Sequence, residues 1–473
     1  MFEESPNKFR NLILSLVFLT IGLLSKINEL VYVFLLIAIF IFSNNNKKNY
    51  LNYVFILLAL SITFIAFFDI YADYNRQISV YENPLVLTKD INLFIGTIFN
   101  VLAYHIKMLL IPYPLRFYYG YNMFPVIGIN AIIPLLSFLF HVGLLAYGLY
   151  KFFKKEIIGL FIVCYFISIA LYVNYPILYT GLFSERALFL SSLWFIVILL
   201  SILMQPKILH RNIKRNNLIL NKKSAILFSG IMLIFSYSTI QRNFYWKDEL
   251  SLLSHDITTM ENSVIGNYIY ANILKDYSKK ASSREEAEMY GNEALIYYNR
   301  CMELAPEYPE IYFKIGSTYR YNLQNMDSAK LYFRYAVTID SLYRHANFEL
   351  AKLLFDTRDF KNSYKYFQRT HQLTPTDSLT LFYYGQCATY VNEMDTAFKI
   401  NNEFIQLYPN LPYPYLNMGI YYSTNLKDDS AIVYLEKAVQ LGYKESGLIA
   451  QISDFYKQKG NTEKAKYYSV LIK

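Results

Sequence analysis

From residue 294 onward the sequence repeats itself at a period of about 34 residues, and that periodicity restricts the carboxy-terminal half to a stack of like units. Each unit carries a small residue, a large or aromatic one, a second small one and often a proline. Ala294, Tyr298, Cys301 and Pro306 open the series; Ala329, Phe333 and Ala336 follow, then Ser363, Phe367, Thr370 and Pro375. Ala397, Phe404 and Pro409 come next, then Ala431, Leu435 and Ala438, and last Ala465 and Ile472. Ahead of these the preceding helix of the unit carries its own marks: Tyr312, Ile315, Gly316 and Tyr319 in one unit, Leu381, Tyr384 and Gly385 in another, and Tyr415, Met418, Gly419 and Tyr422 in a third. Small residues let two antiparallel helices approach, the aromatic fills the gap and proline ends the second helix. One such hairpin cannot bury its apolar face alone, so the units must stack.

This pattern resembles the tetratricopeptide repeat (TPR) signature and covers residues 264–473 as about six units. The resemblance implies an α-solenoid whose concave face takes a protein or peptide partner, with a structural brace as the alternative. Tyrosine and asparagine are abundant in this half, which suits a hydrogen-bonding groove. Its charge balance excludes nucleic acid: the net +9 of the chain resides in residues 1–240, with 19 Lys and Arg against 9 Asp and Glu, whereas residues 241–473 hold 26 against 27.

The amino-terminal half contains apolar runs at 11–24, 29–42, 50–68, 126–150, 157–173, 187–204 and 224–240. A bilayer core takes roughly 20 apolar helical residues, so these read as about seven spans. A more polar run, 91–111, contains Asn92, Asn100, His105 and Lys107 and is expected to be interfacial or re-entrant. Basic clusters at Lys8–Arg10, Lys47–Lys48, Lys151–Lys155 and Lys207–Lys223 assign the amino terminus to the cytoplasm and the repeats to the outer side. The whole chain is thus expected to be all-α: a polytopic membrane domain over 1–240, a linker at 241–263 and the repeat array. The composition fits a bacterial inner membrane with a periplasmic array.

Charged residues at a membrane edge are functional candidates. Lys26 and Glu29 lie at the first outer hinge, Arg116 in the segment Leu109–Asn122, and Glu185 with Arg186 just before the run 187–204. Three cations beside two carboxylates could hold a phosphate and move a proton. The same residues could equally solvate helix ends or form a local ion pair. There is no GxxxxGK[ST] or GxSxG motif, the six histidines are dispersed without metal-ligand spacing, and the three cysteines suggest no disulfide framework.

Gly22-Leu-Leu-Ser25-Lys26, the Leu-Leu-Ile-Pro-Tyr-Pro-Leu segment from Leu109, Glu185-Arg186 and the stretch from Gln241 to Glu249 together resemble the transmembrane and TPR repeat-containing protein O-mannosyltransferases. The resemblance implies a GT-C type membrane domain that transfers a sugar from a polyprenyl-phosphate carrier to a protein. It implies that Lys26, Arg116 and Arg186 lie near the carrier phosphate, supported by Glu185. The family's early spans and its first outer loop, which bears the catalytic acid, have no counterpart here, and Ile27 replaces the glutamate after the Ser-Lys pair. The expectation is therefore a split or truncated transferase completed by a second chain, or one whose acid is Glu29, Asp69, Asp73, Asp90 or Glu185. The alternative is a non-catalytic, membrane-anchored TPR adaptor for envelope complexes. No metal is expected in either case, and the only cofactor-like ligand is the lipid-linked sugar.

Overall fold

The small-aromatic-small spacing predicts paired helices, and paired helices are what the carboxy-terminal half forms. The computed structural model describes residues 30–43, 78–170, 172–174, 178, 180–203 and 222–472, among which there is no β-strand. The chain divides into two units, residues 1–273 and 274–473.

In the first unit, α1 (Leu30–Ser43), α2 (Ile91–Leu110), α3 (Ile132–Phe153), α4 (Ile157–Ala170) and α5 (Leu188–Leu203) pack on one another. Val31, Leu35 and Ala38 of α1 meet Phe152, Leu160 and Cys164, while Leu102, Tyr165 and Ile169 join α2 to α4. The runs 11–24 and 50–68 lie outside the described residues. The expected run 126–150 begins its helix only at Ile132; residues 127–129 precede it as a loop packed so closely on α2 that a Cβ on Gly96 would collide with its backbone. The run 91–111 is one continuous helix, started by Asp90, whose carboxylate accepts from the Asn92 amide at 2.8 Å. By length and composition α2 and α3 are each sufficient to cross a membrane. Much of α3 is bare: Ile132 is 76%, Leu136 60% and Phe153 74% exposed. Residues 241–263, expected as a linker, are largely helical: α6 (Lys222–Tyr245) runs through their start and α7 (Glu249–Ile257) follows.

Helix α8 (Val264–Lys280) contains the unit boundary. The array continues as α9 (Arg284–Leu304), α10 (Pro309–Tyr321), α11 (Met326–Ile339), α12 (Arg344–Asp356), α13 (Phe360–Leu373) and α14 (Ser378–Tyr390). It ends with α15 (Met394–Leu407), α16 (Pro412–Thr424), α17 (Asp428–Gln440), α18 (Ser446–Gln458) and α19 (Thr462–Leu471). The repeating positions form its core. Ala294, Tyr298, Cys301, Phe333, Phe367 and Ala397 are fully buried, and the helix partner of Phe333 is Gly316, where a Cβ would stand 2.7 Å from the ring. Helices α9, α13 and α15 stop two residues before Pro306, Pro375 and Pro409. One assignment changes: Ile472 lies past the end of α19 and is 40% exposed, and Tyr468 fills the last core position.

A further periodicity appears only in the backbone. Gln324, Arg358, Asn392, Leu426 and Gly460, spaced 34 residues apart, all have positive φ, between 53° and 75°. Each closes the turn between two paired helices. From Arg358 onward the next amide bonds back to the fifth carbonyl before it, as in Asp359 N to Leu354 O (2.8 Å) and Lys427 N to Tyr422 O (3.0 Å). In the α10–α11 turn the corresponding bond, Asn325 N to Tyr319 O, spans one residue more, which accounts for the 35-residue step from Ala294 to Ala329. Only the last of the five residues is glycine, and a side chain in this region costs about 1–2 kcal/mol. Leu426→Gly, at a residue 89% exposed, should therefore stabilise the protein by about 0.5–1 kcal/mol after the entropic cost of glycine. Gly460→Ala should destabilise it by about 1 kcal/mol. Denaturant unfolding that ranks the pair in the reverse order would show the turns to be unstrained.

Candidate functional site

Two groups of polar side chains converge in the structure, one in each unit. In the first unit the loop after α2 meets the segment before α5 through Glu185. Its Oε1 accepts from the Arg116 amide at 2.7 Å and from the Tyr119 hydroxyl at 2.6 Å. Burial pushes the Glu185 carboxyl above its usual range, opposed by those two hydrogen bonds, and burial also pushes the Tyr119 phenol upward. The loop is fixed from below by aromatic packing: the rings of Tyr104, Tyr119, Phe124 and Phe183 lie within 5.0–6.5 Å of each other. Gly181, at φ +88°, allows Tyr119 O to accept from Leu182 N at 2.7 Å.

Arg116 turns its side chain elsewhere, donating from Nε to Thr259 Oγ1 at 3.0 Å. Thr259 in turn donates to the Asp256 carbonyl. The Asp256 carboxylate is fully buried and receives a two-pronged ion pair from Arg242 (Nη2 to Oδ2, 2.8 Å) together with His255 Nδ1 at 2.9 Å. His255 stacks on Tyr245 at 3.7 Å. Arg242 and Asp256 also act electrostatically on Glu185, so the two carboxylates and their arginines form one cluster.

Of the residues singled out from sequence, Arg116 and Glu185 are therefore brought together, and Arg186 stands exposed beside Glu185, its side chain making no hydrogen bond or ion pair among the described residues. Asp90 is a helix cap. Lys26, Glu29, Asp69 and Asp73 lie outside the described residues. Tyr119 and Arg242 fall inside segments that the sequence marks, but nothing local pairs them with Glu185 and Asp256; Asp256 and Thr259 carry no distinguishing signal, since Arg242 and Arg116 lie in other segments. Asp256→Ala should cost about 3–5 kcal/mol by stranding Arg242, whose side chain is 12% exposed. Adding Arg242→Met should recover most of that loss, and a double-mutant cycle with no coupling would refute the pairing.

In the array, polar side chains connect the first helix of one hairpin to the first helix of the next. Lys275 Nζ of α8 donates to Ser317 Oγ of α10 at 2.7 Å. Arg320 of α10 reaches both Glu349 (2.8 Å) and Asp356 (3.0 Å) of α12, and Tyr321 donates to Glu349 at 2.7 Å. Phe348 and Phe355 of α12 pack on Tyr383 of α14, and Gln386 of α14 donates to Asn417 of α16 at 3.0 Å. Gly385 is needed here because a Cβ would overlap Asn401 Oδ1. The result is a polar and aromatic ladder on one face of α8, α10, α12, α14 and α16.

Lys275 is the unusual member. It is 7% exposed, and burial, helped by Lys314 and Lys279, pushes its amine down to about 7. Between that value and the ordinary lysine range the unfolded chain binds the extra proton, so stability should rise as pH increases from about 7 toward 10. Lys275→Met should flatten that segment of the pH profile and raise the melting temperature at neutral pH. An unchanged profile would mean that the amine is not buried in solution.

The helical hairpins define a repeat solenoid. A tetratricopeptide-repeat family model matches residues 309–341, the α10–α11 hairpin. Similar solved structures include YrrB, described as a TPR protein with an unusual peptide-binding site, at 20% identity over 40% of this chain and 92% of that one, with a TM-score of 0.35. PilW, described as a widely conserved type IV pilus biogenesis factor, is 16% identical over 42% and 90% with a TM-score of 0.35. MamA from Desulfovibrio magneticus RS-1 is 14% identical over 35% and 92% with a TM-score of 0.32. No curated protein matches the chain. One tetratricopeptide repeat is thus identified in the chain, at residues 309–341.

Proposed function

We propose that the chain is a membrane-anchored docking protein whose TPR array holds a peptide or protein segment. The observation that carries this reading is the ladder from Lys275 to Asn417. It runs along consecutive first helices and is bordered by the exposed Tyr321, Asp356 and Tyr390, charged and aromatic groups suited to an extended polypeptide. The anchor reading is supported by the bare apolar surface of α3, which a bilayer would cover, and by the basic loops of the first 240 residues. In this reading the amino terminus is cytoplasmic and the array periplasmic, in a bacterial inner membrane.

Photo-crosslinking residues placed at Tyr321, Asp356 and Tyr390 in the full chain in cells should trap protein adducts. The same residues at Ile296 and Leu331, exposed on second helices, should not. Equal trapping at both sets, or none at either, would sink the docking reading. A reporter active only in the cytoplasm, fused after Lys473, should be silent, and an active reporter would reverse the orientation.

A second reading is sugar transfer from a polyprenyl-phosphate carrier to the docked protein. What favours it is the meeting of Arg116 with Glu185, 69 residues away in sequence, next to the exposed Arg186. Arg116 and Arg186 would bind the carrier phosphate with Lys26. Glu185 would hold the loop through Tyr119, and the acid would come from Glu29, Asp69, Asp73 or a second chain. Radiolabelled polyprenyl-phosphate mannose should then label a trapped partner, and Arg186→Ala should abolish labelling. Absence of label with every partner leaves the docking function alone.

A further inference from the structure

Helices α10, α12 and α14 end on Tyr321, Asp356 and Tyr390, which lie five residues past Gly316, Ala351 and Gly385 respectively. The three side chains thus occupy one position of successive first helices, and all are exposed: Tyr321 48%, Tyr390 44% and the Asp356 side chain 53%. The middle one works against its own helix. The carboxy-terminal end of a helix carries partial negative charge and favours cations, so an aspartate there costs stability. The carboxylate's one partner among the described residues is Arg320, which reaches Oδ2 at 3.0 Å and is shared with Glu349 at 2.8 Å. Lys352, one turn earlier, and Arg358, in the turn that follows, form no ion pair with it. Tyr321 and Tyr383 accordingly lie in the field of two carboxylates and one guanidinium. The carboxylate pair is short of one positive charge, and solvent reaches the oxygen that lacks it. The neighbouring rings complete the surface. Tyr390 is braced by Phe360 at 4.6 Å and Phe355 at 6.3 Å between centroids. Tyr321 already receives a cation on its ring, the Arg320 guanidinium at 5.2 Å.

We infer that Asp356 and Tyr390, bordered by Tyr321, form a cation site that takes an arginine or lysine side chain of the docked polypeptide. The cation pairs with Asp356 Oδ1, which receives no bond among the described residues, and lies over the braced Tyr390 ring. Its arrival supplies the charge that the end of α12 lacks and leaves Arg320 to Glu349. Arginine suits the site better than lysine, because a planar guanidinium bonds a carboxylate and stacks on a ring at the same time. Nothing has to open for the ligand to enter, since these groups are exposed in the unliganded array. This inference rests on the docking reading and specifies its ligand chemistry: the docked segment carries a basic residue.

The test uses the full chain in detergent, panned at neutral pH and low salt against displayed random dodecapeptides. Peptides containing arginine or lysine should be enriched. In synthetic copies, citrulline in place of the arginine, or acetyl-lysine in place of the lysine, should remove most of the binding. Affinity for Asp356→Asn should fall about fivefold, as expected for a half-exposed ion pair. Tyr390→Ala should lower it about threefold, and Tyr390→Phe should keep it, because the ring face makes the contact. Thermal unfolding of the variants separates lost binding from lost folding, and the citrulline comparison is made on the unaltered protein. Enrichment of acidic or neutral peptides, or of basic ones indifferent to Asp356→Asn and Tyr390→Ala, overturns the cation site and leaves docking in place. Enrichment of no peptide overturns both.

Discussion

The close approach of paired helices is the constraint on which the array depends. Gly316 against Phe333 and Gly419 against Leu435 bring two backbones near enough for one large side chain to fill the gap. The small residues Ala329, Ser363, Ala397 and Ala431 allow the same on the other helix. Once the pair is that close, the turn between them has little freedom. It closes through a residue of positive φ at every 34-residue step, even where that residue is Arg, Asn or Leu. Packing thus overrides the local backbone preference at Gln324, Arg358 and Leu426, because burial of a Phe or Tyr contributes about 1.5–3 kcal/mol and exceeds the strain of one turn.

With the second-helix residues committed to this packing, the first helices are left to interact with their neighbours. Their bonds are polar and sit on one face: Lys275 to Ser317, Arg320 to Glu349, Gln386 to Asn417. Those side chains are buried or half-buried between the hairpins, and Tyr321, Asp356 and Tyr390 stand exposed beside them. In the first unit a comparable economy holds, because Glu185 both braces the loop containing Tyr119 and lies in the field of Arg242 and Asp256.

The repeat core was legible position by position because its signal is local: small and aromatic residues recur at fixed spacing along one chain. The exceptions are instructive. Ile472 fits the spacing but falls beyond the last helical turn, so Tyr468 takes its place. Residues 241–263 look like a connector, yet Arg242 and Asp256 are paired across the bend between α6 and α7 and hold it as structure. Arg116 and Glu185 could be nominated from sequence as charges at an apolar edge, but not as partners, since 69 residues separate them. Lys275 had no signal at all: a lysine in a Tyr- and Lys-containing helix is ordinarily solvated.

By itself the sequence determined the all-α class, the 34-residue hairpin and its buried positions, and the concentration of positive charge in the first 240 residues. All of these follow from periodicity and composition, which are properties of neighbouring residues. Tertiary structure decided which charges are neutralised and which are not. Asp256, Glu185 and Arg320 find partners in distant segments, and Lys275 is enclosed with only a hydroxyl. The physical reason is that the cost of burying a charge depends on everything packed around it, and that surrounding is assembled only when the chain folds.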